Sequence, residues 1–160
     1  MRGLLFKGLM IAIMASSALP AVAAEDCGRW AAEMLEDEGG PVLTAHVCST
    51  EAPDVELLLT CYGGEFGLRV DLATDESADL TGSPVDVNFT TEGGSQTLAM
   101  IYEEMDGRHA TSLSADAPLV QLLQSGTSLS VRDAAGAFAE HQFSLEGSSK
   151  AIGALLQACH

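Results

Sequence analysis

Residues 55–72 read VELLLTCYGGEFGLRVDL, two apolar stretches joined by a short turn that contains Gly63 and Gly64. Paired glycines between two such stretches are typical of a tight β-hairpin. The second stretch alternates strictly, which predicts a strand whose buried face consists of Phe66, Leu68, Val70 and Leu72. We therefore expect antiparallel β structure at the centre of the chain.

Further segments of strand composition begin near Val42, Val85, Gln96, Ser128 and Ala137. Helical spacing of apolar residues predicts three short helices, at residues 27–38, 117–124 and 148–159. We expect Asp116 to cap the second helix and Ser148 the third. The pattern predicts a mainly β, α+β fold: an antiparallel β-sandwich or curved sheet with two or three short flanking helices, stapled by disulfides.

The N-terminus has the three parts of a secretory signal peptide. A basic start and an apolar run are followed by small residues at 21–24, AVAA. We expect residues 1–24 to be removed and residues 25–160 to form a single exported β-rich domain in the periplasm. No later stretch approaches the roughly 18 apolar residues of a membrane span, so we expect none in the mature chain.

The charge balance is strongly acidic, with 23 Asp and Glu against 7 Lys and Arg and a formal net charge of −16. Nucleic acid is excluded as a partner, because binding phosphates requires lysines and arginines. The acidity favours a well-solvated surface, a basic protein partner or divalent cations outside the cell. A salty habitat would produce the same composition.

Four cysteines follow the predicted cleavage site: Cys27, Cys48, Cys61 and Cys159. An even number in a small exported domain predicts two disulfides, for which three pairings exist. We favour Cys27 with Cys48, which ties the N-terminal helix to the next strand, and Cys61 with Cys159, which pins the C-terminal helix to a central strand.

Metal sites are weakly indicated. There is no Cys-x-x-Cys pair, and His46 with Cys48 would make at best half of a zinc site. In the acidic excursion, residues 73–83, Asp75, Ser77 and Asp79 are spaced like the first ligands of an EF-hand loop, with Asp86 at its twelfth position. Leu80 stands where that loop needs glycine, so a solvated loop is the better interpretation.

A catalytic arrangement has one candidate base. His109 follows the Asp106-Gly107 turn, where we expect an exposed loop edge, and Glu103, Glu104 and Asp106 are close in sequence. A small periplasmic hydrolase using these residues is the alternative hypothesis. No nucleophile motif accompanies them, and we assign no catalytic, cofactor or metal residue.

The closing segment, FSLEGSSKAIGALLQAC at 143–159, follows a strand that ends in Cys61. This order resembles the small periplasmic VasI/TagO proteins associated with type VI secretion systems. The matching residues are Cys61, Phe143, Leu145, Gly147, Ala151, Ile152, Leu155, Ala158 and Cys159. The resemblance implies a disulfide-pinned β fold in the periplasm and an accessory role in secretion, and it brings no catalytic residue with it.

We therefore expect a non-enzymatic periplasmic interaction domain whose partner is another envelope protein. A sheet edge or the loop at residues 73–83 would provide the binding surface. A divalent-cation-binding exported protein is the third hypothesis.

Overall fold

The computed structural model describes residues 27–37, 39–72 and 83–159. The predicted signal peptide and residues 73–82 of the acidic excursion lie outside the described residues. In chain order the elements are β1 (Ala31–Asp37), β2 (Gly40–Cys48), β3 (Glu56–Tyr62), β4 (Glu65–Val70), β5 (Val85–Thr91), β6 (Gly94–Glu103), β7 (Arg108–Ser114), α1 (Pro118–Ser125), β8 (Ser128–Asp133), β9 (His141–Ser144) and α2 (Ser148–Ala158).

The described strands form one antiparallel sheet in the order β1-β2-β3-β4-β7-β6-β5-β8-β9. The sheet is so strongly curved that the chain after β2 meets β9. Ser49 forms an isolated bridge with Phe143, and the N–H of Thr50 donates to the carbonyl of Gln142 at 2.8 Å. The predicted mainly β, disulfide-stapled architecture with flanking helices is confirmed.

The central hairpin has the predicted turn and the predicted buried face. Gly63 and Gly64 have φ of 60° and 91°, values that favour glycine. The four alternating apolar residues, Phe66, Leu68, Val70 and Leu72, are all fully buried. This face of β4 belongs to a single apolar core shared by strands and helices.

The two helices cover the core with short apolar faces. The buried residues of α1 are Leu119, Val120 and Leu123, and those of α2 include Ala151, Ile152 and Leu155. Within the part of the chain described here, no helix is long and apolar enough to cross a membrane.

Neither predicted helix cap is correct. The N-cap of α1 is Ala117, without a side-chain bond, and that of α2 is Gly147. Gly147 has φ of 85°, and a Cβ built on it would lie 2.9 Å from the carbonyl oxygen of Trp30. The chain therefore enters α2 through a conformation that glycine adopts easily, and Ser148 is instead the buried first residue of the helix.

The helix predicted at residues 27–38 is wrong, since most of this segment forms strand β1. Its seven residues pair with β2 from Ala31 opposite His46 to Asp37 opposite Gly40. A helix of about twelve residues is marginal in water, whereas the edge of β2 offers a row of backbone hydrogen bonds. Met34, which the helical pattern would bury, is 59% exposed.

Both disulfides have the favoured pairing. Cys27, just before β1, joins Cys48 at the end of β2, and Cys61 in β3 joins Cys159 after α2. The first bridge fixes the start of the edge strand β1. The second holds the last helix on the sheet.

Candidate functional site

His109 is the first predicted site residue, and the structure overturns its predicted exposure. It lies in β7 with an exposed fraction of 0%, between the rings of Tyr102 and Phe138, each 5.3 Å away between centroids. Neither ring nitrogen has a hydrogen-bond partner among the described residues. Burial lowers the pKa of His109, opposed by the charges of Asp71 and Asp133.

Alternation along β7 explains this burial. His109 and Leu113 are buried and lie an even number of residues apart, so the pleat turns both side chains inward. Arg108 and Ala110 point to the outer face. The loop edge predicted at residue 109 is wrong because RHATSLS, residues 108–114, forms strand β7.

The acidic residues Glu103, Glu104 and Asp106 do not converge with His109. Glu103 ends β6 and pairs with Arg108, whose side chain lies on the outer face, opposite to His109. Two of these carboxylates, those of Glu103 and Asp106, instead contact Arg69 of β4. The Arg69 Nε lies 2.9 Å from Oε2 of Glu103 and 3.4 Å from Oδ2 of Asp106. The structure therefore does not assemble the hydrolase site that the sequence suggested.

Arg69 lies where three clefts of the outer face meet, with volumes of about 310, 140 and 370 Å³. We call their combined surface the Arg69 groove. It is lined by residues 35–37 of β1, Thr44 of β2, Leu58 and Thr60 of β3, residues 65–69 of β4, Ile101 and residues 103–106 of β6 and the next turn, and Arg108 and residues 110–112 of β7.

The groove widens where β6 and β7 part. Their pairing covers only three residue pairs, from Ile101 opposite Ala110 to Glu103 opposite Arg108. Beyond this point β6 pairs with β5, and β7 pairs with β4. Among the described strands, the last residues of β7 therefore have a partner on one side only. Gly67 and Ser112, which line the cleft where β6 and β7 part, have small side chains that leave it unfilled.

Carboxylates dominate the charge of the groove. Its two guanidinium groups are engaged, Arg69 as described and Arg108 with Oε2 of Glu56 at 2.6 Å. The lining includes six acidic residues: Glu36, Asp37, Glu65, Glu103, Glu104 and Asp106. The surface therefore attracts cationic groups.

Exposed apolar side chains interrupt this acidic surface. Ile101 is 56% exposed and Met105 is 85% exposed, and each lines one of the clefts. With Met34 they are the large apolar residues that the described part of the chain leaves exposed. Two of the three thus line the Arg69 groove.

No family model, no curated protein and no solved structure matches this chain. The resemblance to the VasI/TagO proteins therefore stays a prediction, and the functional argument depends on the chain's own geometry.

The proposed metal ligands are dispersed or engaged. Cys48 is bound in a disulfide, and Nε2 of His46 lies 2.6 Å from Oε1 of Glu33. Asp86 lies in β5, while Asp75, Ser77 and Asp79 fall outside the described residues. Among the residues described, no group of three His, Cys, Asp or Glu side chains could hold a metal ion.

The sequence contained part of the signal for the groove. Alternation in β6 places Ile101 and Glu103 on one face, so an apolar residue beside an acid on the polar side was visible in QTLAMIYEE. The contact between Arg69 and Glu103 was not visible in the sequence. It depends on β7 lying between β4 and β6, and strand order is not written in a local pattern.

Proposed function

We propose that this protein is an exported, non-enzymatic interaction domain that binds a basic, extended segment of another envelope protein in the Arg69 groove. The observation that carries this proposal is the coincidence of six carboxylates with exposed Ile101 and Met105 in one groove. A segment that alternates basic and apolar side chains complements both features.

The two disulfides support a location outside the cytoplasm, because such bonds persist in oxidising compartments. In the periplasm the partner would be an envelope protein. A type VI secretion system is the setting that the family resemblance implies. The hydrolase alternative receives no support, because Glu103 and Asp106 contact Arg69 on the outer face of the sheet, whereas His109 is buried on the opposite face.

The test uses a synthetic octapeptide of alternating lysine and valine, titrated into the isotopically labelled protein and followed by backbone NMR. We expect shifts confined to amides of the groove, such as those of Gly67, Ile101 and Ser112. Binding should weaken as salt rises from about 50 to about 300 mM, because the attraction is screened. An octapeptide of alternating glutamate and valine should not bind.

Matched variants distinguish binding in the Arg69 groove from a general attraction of the peptide to the acidic protein. Ile101→Ser and Met105→Ser should each weaken binding of the lysine peptide, whereas Met34→Ser, at a similarly exposed position outside the groove, should leave it unchanged. Shifts that map elsewhere, or an equal effect of all three variants, would refute the assignment of this surface.

A further inference from the structure

A second cleft, of about 430 Å³, lies between the start of β1 and helix α2. Residues 29–32 line one side, and one face of α2 from Gly147 to Ala154 lines the other. Its lining residues are not shared with the Arg69 groove. A volume of this size is enough for a few residues of a peptide.

One wall of this cleft belongs to an edge strand. In the described part of the chain β1 pairs with β2 alone, so its other edge is open to a further strand from Ala31 onward. Just before it, the N–H of Trp30 already donates to the carbonyl of Glu146 at 3.0 Å. The side chains beside that edge are small, since Ala31, Ala32 and Ala154 all line the cleft. A strand edge next to a helix is the arrangement in which extended peptides are bound by strand addition.

The charge of the cleft is opposite to that of the rest of the protein. Arg29 and Lys150 line it, and no carboxylate does, although the chain has a net charge of −16. Arg29 is paired with Glu146 at 2.7 Å, outside the lining. Lys150 has no acceptor among the described residues, and it lies in the first turn of α2, where the helix dipole disfavours a cation.

Trp30 provides an independent indication of a ligand. This residue lines the cleft and is only 6% exposed, yet its indole Nε1 is buried and has no hydrogen-bond acceptor in the described part of the chain. A buried donor without an acceptor is costly. An acceptor brought by a bound chain would relieve that cost.

We propose that this cleft binds the C-terminal residues of an extended peptide from another exported protein. The peptide adds to the free edge of β1, and its terminal carboxylate lies beside Lys150 and Arg29 at the N-terminus of α2. Because both cations lie where β1 begins, the added strand runs antiparallel to β1.

The dimensions limit how much of the peptide is held. From Gly147 to Ala154 the helix axis rises about 10 Å, at roughly 1.5 Å per residue. Extended chain rises about 3.3 Å per residue, so about three residues fit. Small or medium apolar side chains suit the alanine walls. The C-terminal carboxylate of the peptide supplies a negative charge to complement Arg29 and Lys150.

The test uses an acetylated hexapeptide of alternating threonine and valine with a free C-terminal carboxylate, and the same peptide with a C-terminal amide. Trp30 is the only tryptophan of the chain, so its fluorescence reports binding directly. We expect a saturable change, with the acid bound about tenfold more tightly than the amide, because charged hydrogen bonds are lost in the amide.

Two variant pairs localise the effect. Lys150→Gln should remove the preference for the acid, while Arg132→Gln, at an exposed position on β8, should keep it. Ala154→Leu should fill the cleft and abolish binding, while Gln157→Leu on the same helix should not. Equal affinity for acid and amide, or no saturable change with the acid, would overturn the proposal. The lysine-peptide test of the Arg69 groove is unaffected by either result.

Discussion

The Arg69 Nε donates a hydrogen bond to Oε2 of Glu103 at 2.9 Å, which ties β4 to β6 across the intervening strand β7. The three strands are paired at this level, since Arg69 lies opposite Ala110 and Glu103 lies opposite Arg108. The side chains are 23% and 40% exposed, so solvent screens the pair without removing it. It connects two walls of the Arg69 groove.

Glu103→Gln should therefore lower the free energy of unfolding by about 0.5–1 kcal/mol, a typical value for a partly exposed ion pair. Asp106, at 3.4 Å from the same nitrogen, retains part of the attraction. Glu104→Gln is the matched control, since Glu104 is exposed and adjacent. If urea denaturation shows the same stability for the two variants, the ion pair between Arg69 and Glu103 does not stabilise the fold.

The two disulfides should contribute unequally to stability. The bridge Cys61–Cys159 closes 98 residues, and Cys27–Cys48 closes 21. In the chain-entropy model, the longer loop stabilises the fold by about 1–1.5 kcal/mol more. Urea denaturation of the two paired alanine variants, C27A/C48A and C61A/C159A, measures this difference. A larger loss from C27A/C48A would show that local strain or packing outweighs loop length.

The buried imidazole of His109 should make stability depend on pH. Its pKa is lowered by burial from about 6.5, so below that pH the unfolded chain binds a proton that the folded chain does not. The free energy of unfolding is therefore not reduced by His109 above about pH 6.5, and it falls as the pH decreases below that value. Asp71, whose pKa burial raises, acts in the opposite direction at lower pH.

His109→Leu removes this proton linkage while keeping an apolar side chain between Tyr102 and Phe138. The decline in melting temperature from about pH 7.5 to 5.5 should be shallower in the variant than in the natural protein. Parallel curves would mean that His109 is protonated as easily in the folded state as in the unfolded chain.

The C-terminal helix offers a neighbouring pair of leucines for a packing test. Leu155 is fully buried in the core, whereas Leu156 is only partly buried against it. Leu155→Ala should cost about 2–5 kcal/mol, because it leaves a cavity in the core. Leu156→Ala should cost less. Equal losses in urea denaturation would mean that α2 packs on the sheet with a different face.

The sequence predicted the fold correctly where several local signals agreed within one segment. The β3–β4 hairpin has paired glycines and four alternating apolar residues, and both features act within the segment itself. The Cys61–Cys159 pairing was also predictable, because it joins a strand and a helix that are both recognisable from composition. The Cys27–Cys48 pairing is correct although most of the segment that begins at Cys27 forms a strand and not the predicted helix. The helix predicted at 27–38 depended on three apolar residues alone, and pairing with β2 outweighed that weak preference.

The candidate sites were harder to predict because they depend on strand order. β7 is inserted between β4 and β6, so residues far apart in sequence, Gly67, Ile101 and Ser112, line one cleft. The same insertion buries His109. The acidic cluster at 103–106 was recognised as a feature, but its partner Arg69 was not. The cleft between β1 and α2 was not predictable for another reason, since its strand lies in the segment where the apolar spacing predicts a helix.

Two glycines of the last helical region should respond in opposite directions to the same substitution. Gly147 has φ of 85°, and a Cβ there would lie 2.9 Å from the backbone oxygen of Trp30. Gly147→Ala therefore adds both backbone strain and a contact that only main-chain movement relieves, and it should cost about 1–3 kcal/mol. Gly153 lies within α2, and a Cβ there meets no atom within 4 Å.

Gly153→Ala should thus stabilise the protein by about 0.5–1 kcal/mol, because alanine restricts the unfolded chain and favours the helix. Both variants add one methyl group, so the sign of the change reports the backbone conformation and the space at each position. Urea denaturation midpoints should move down for Gly147→Ala and up for Gly153→Ala. If both midpoints move up, Gly147 has an ordinary right-handed backbone conformation at the start of α2. The carbonyl oxygen of Trp30 then does not lie as close to Gly147, beside the cleft between β1 and α2, as the structure places it.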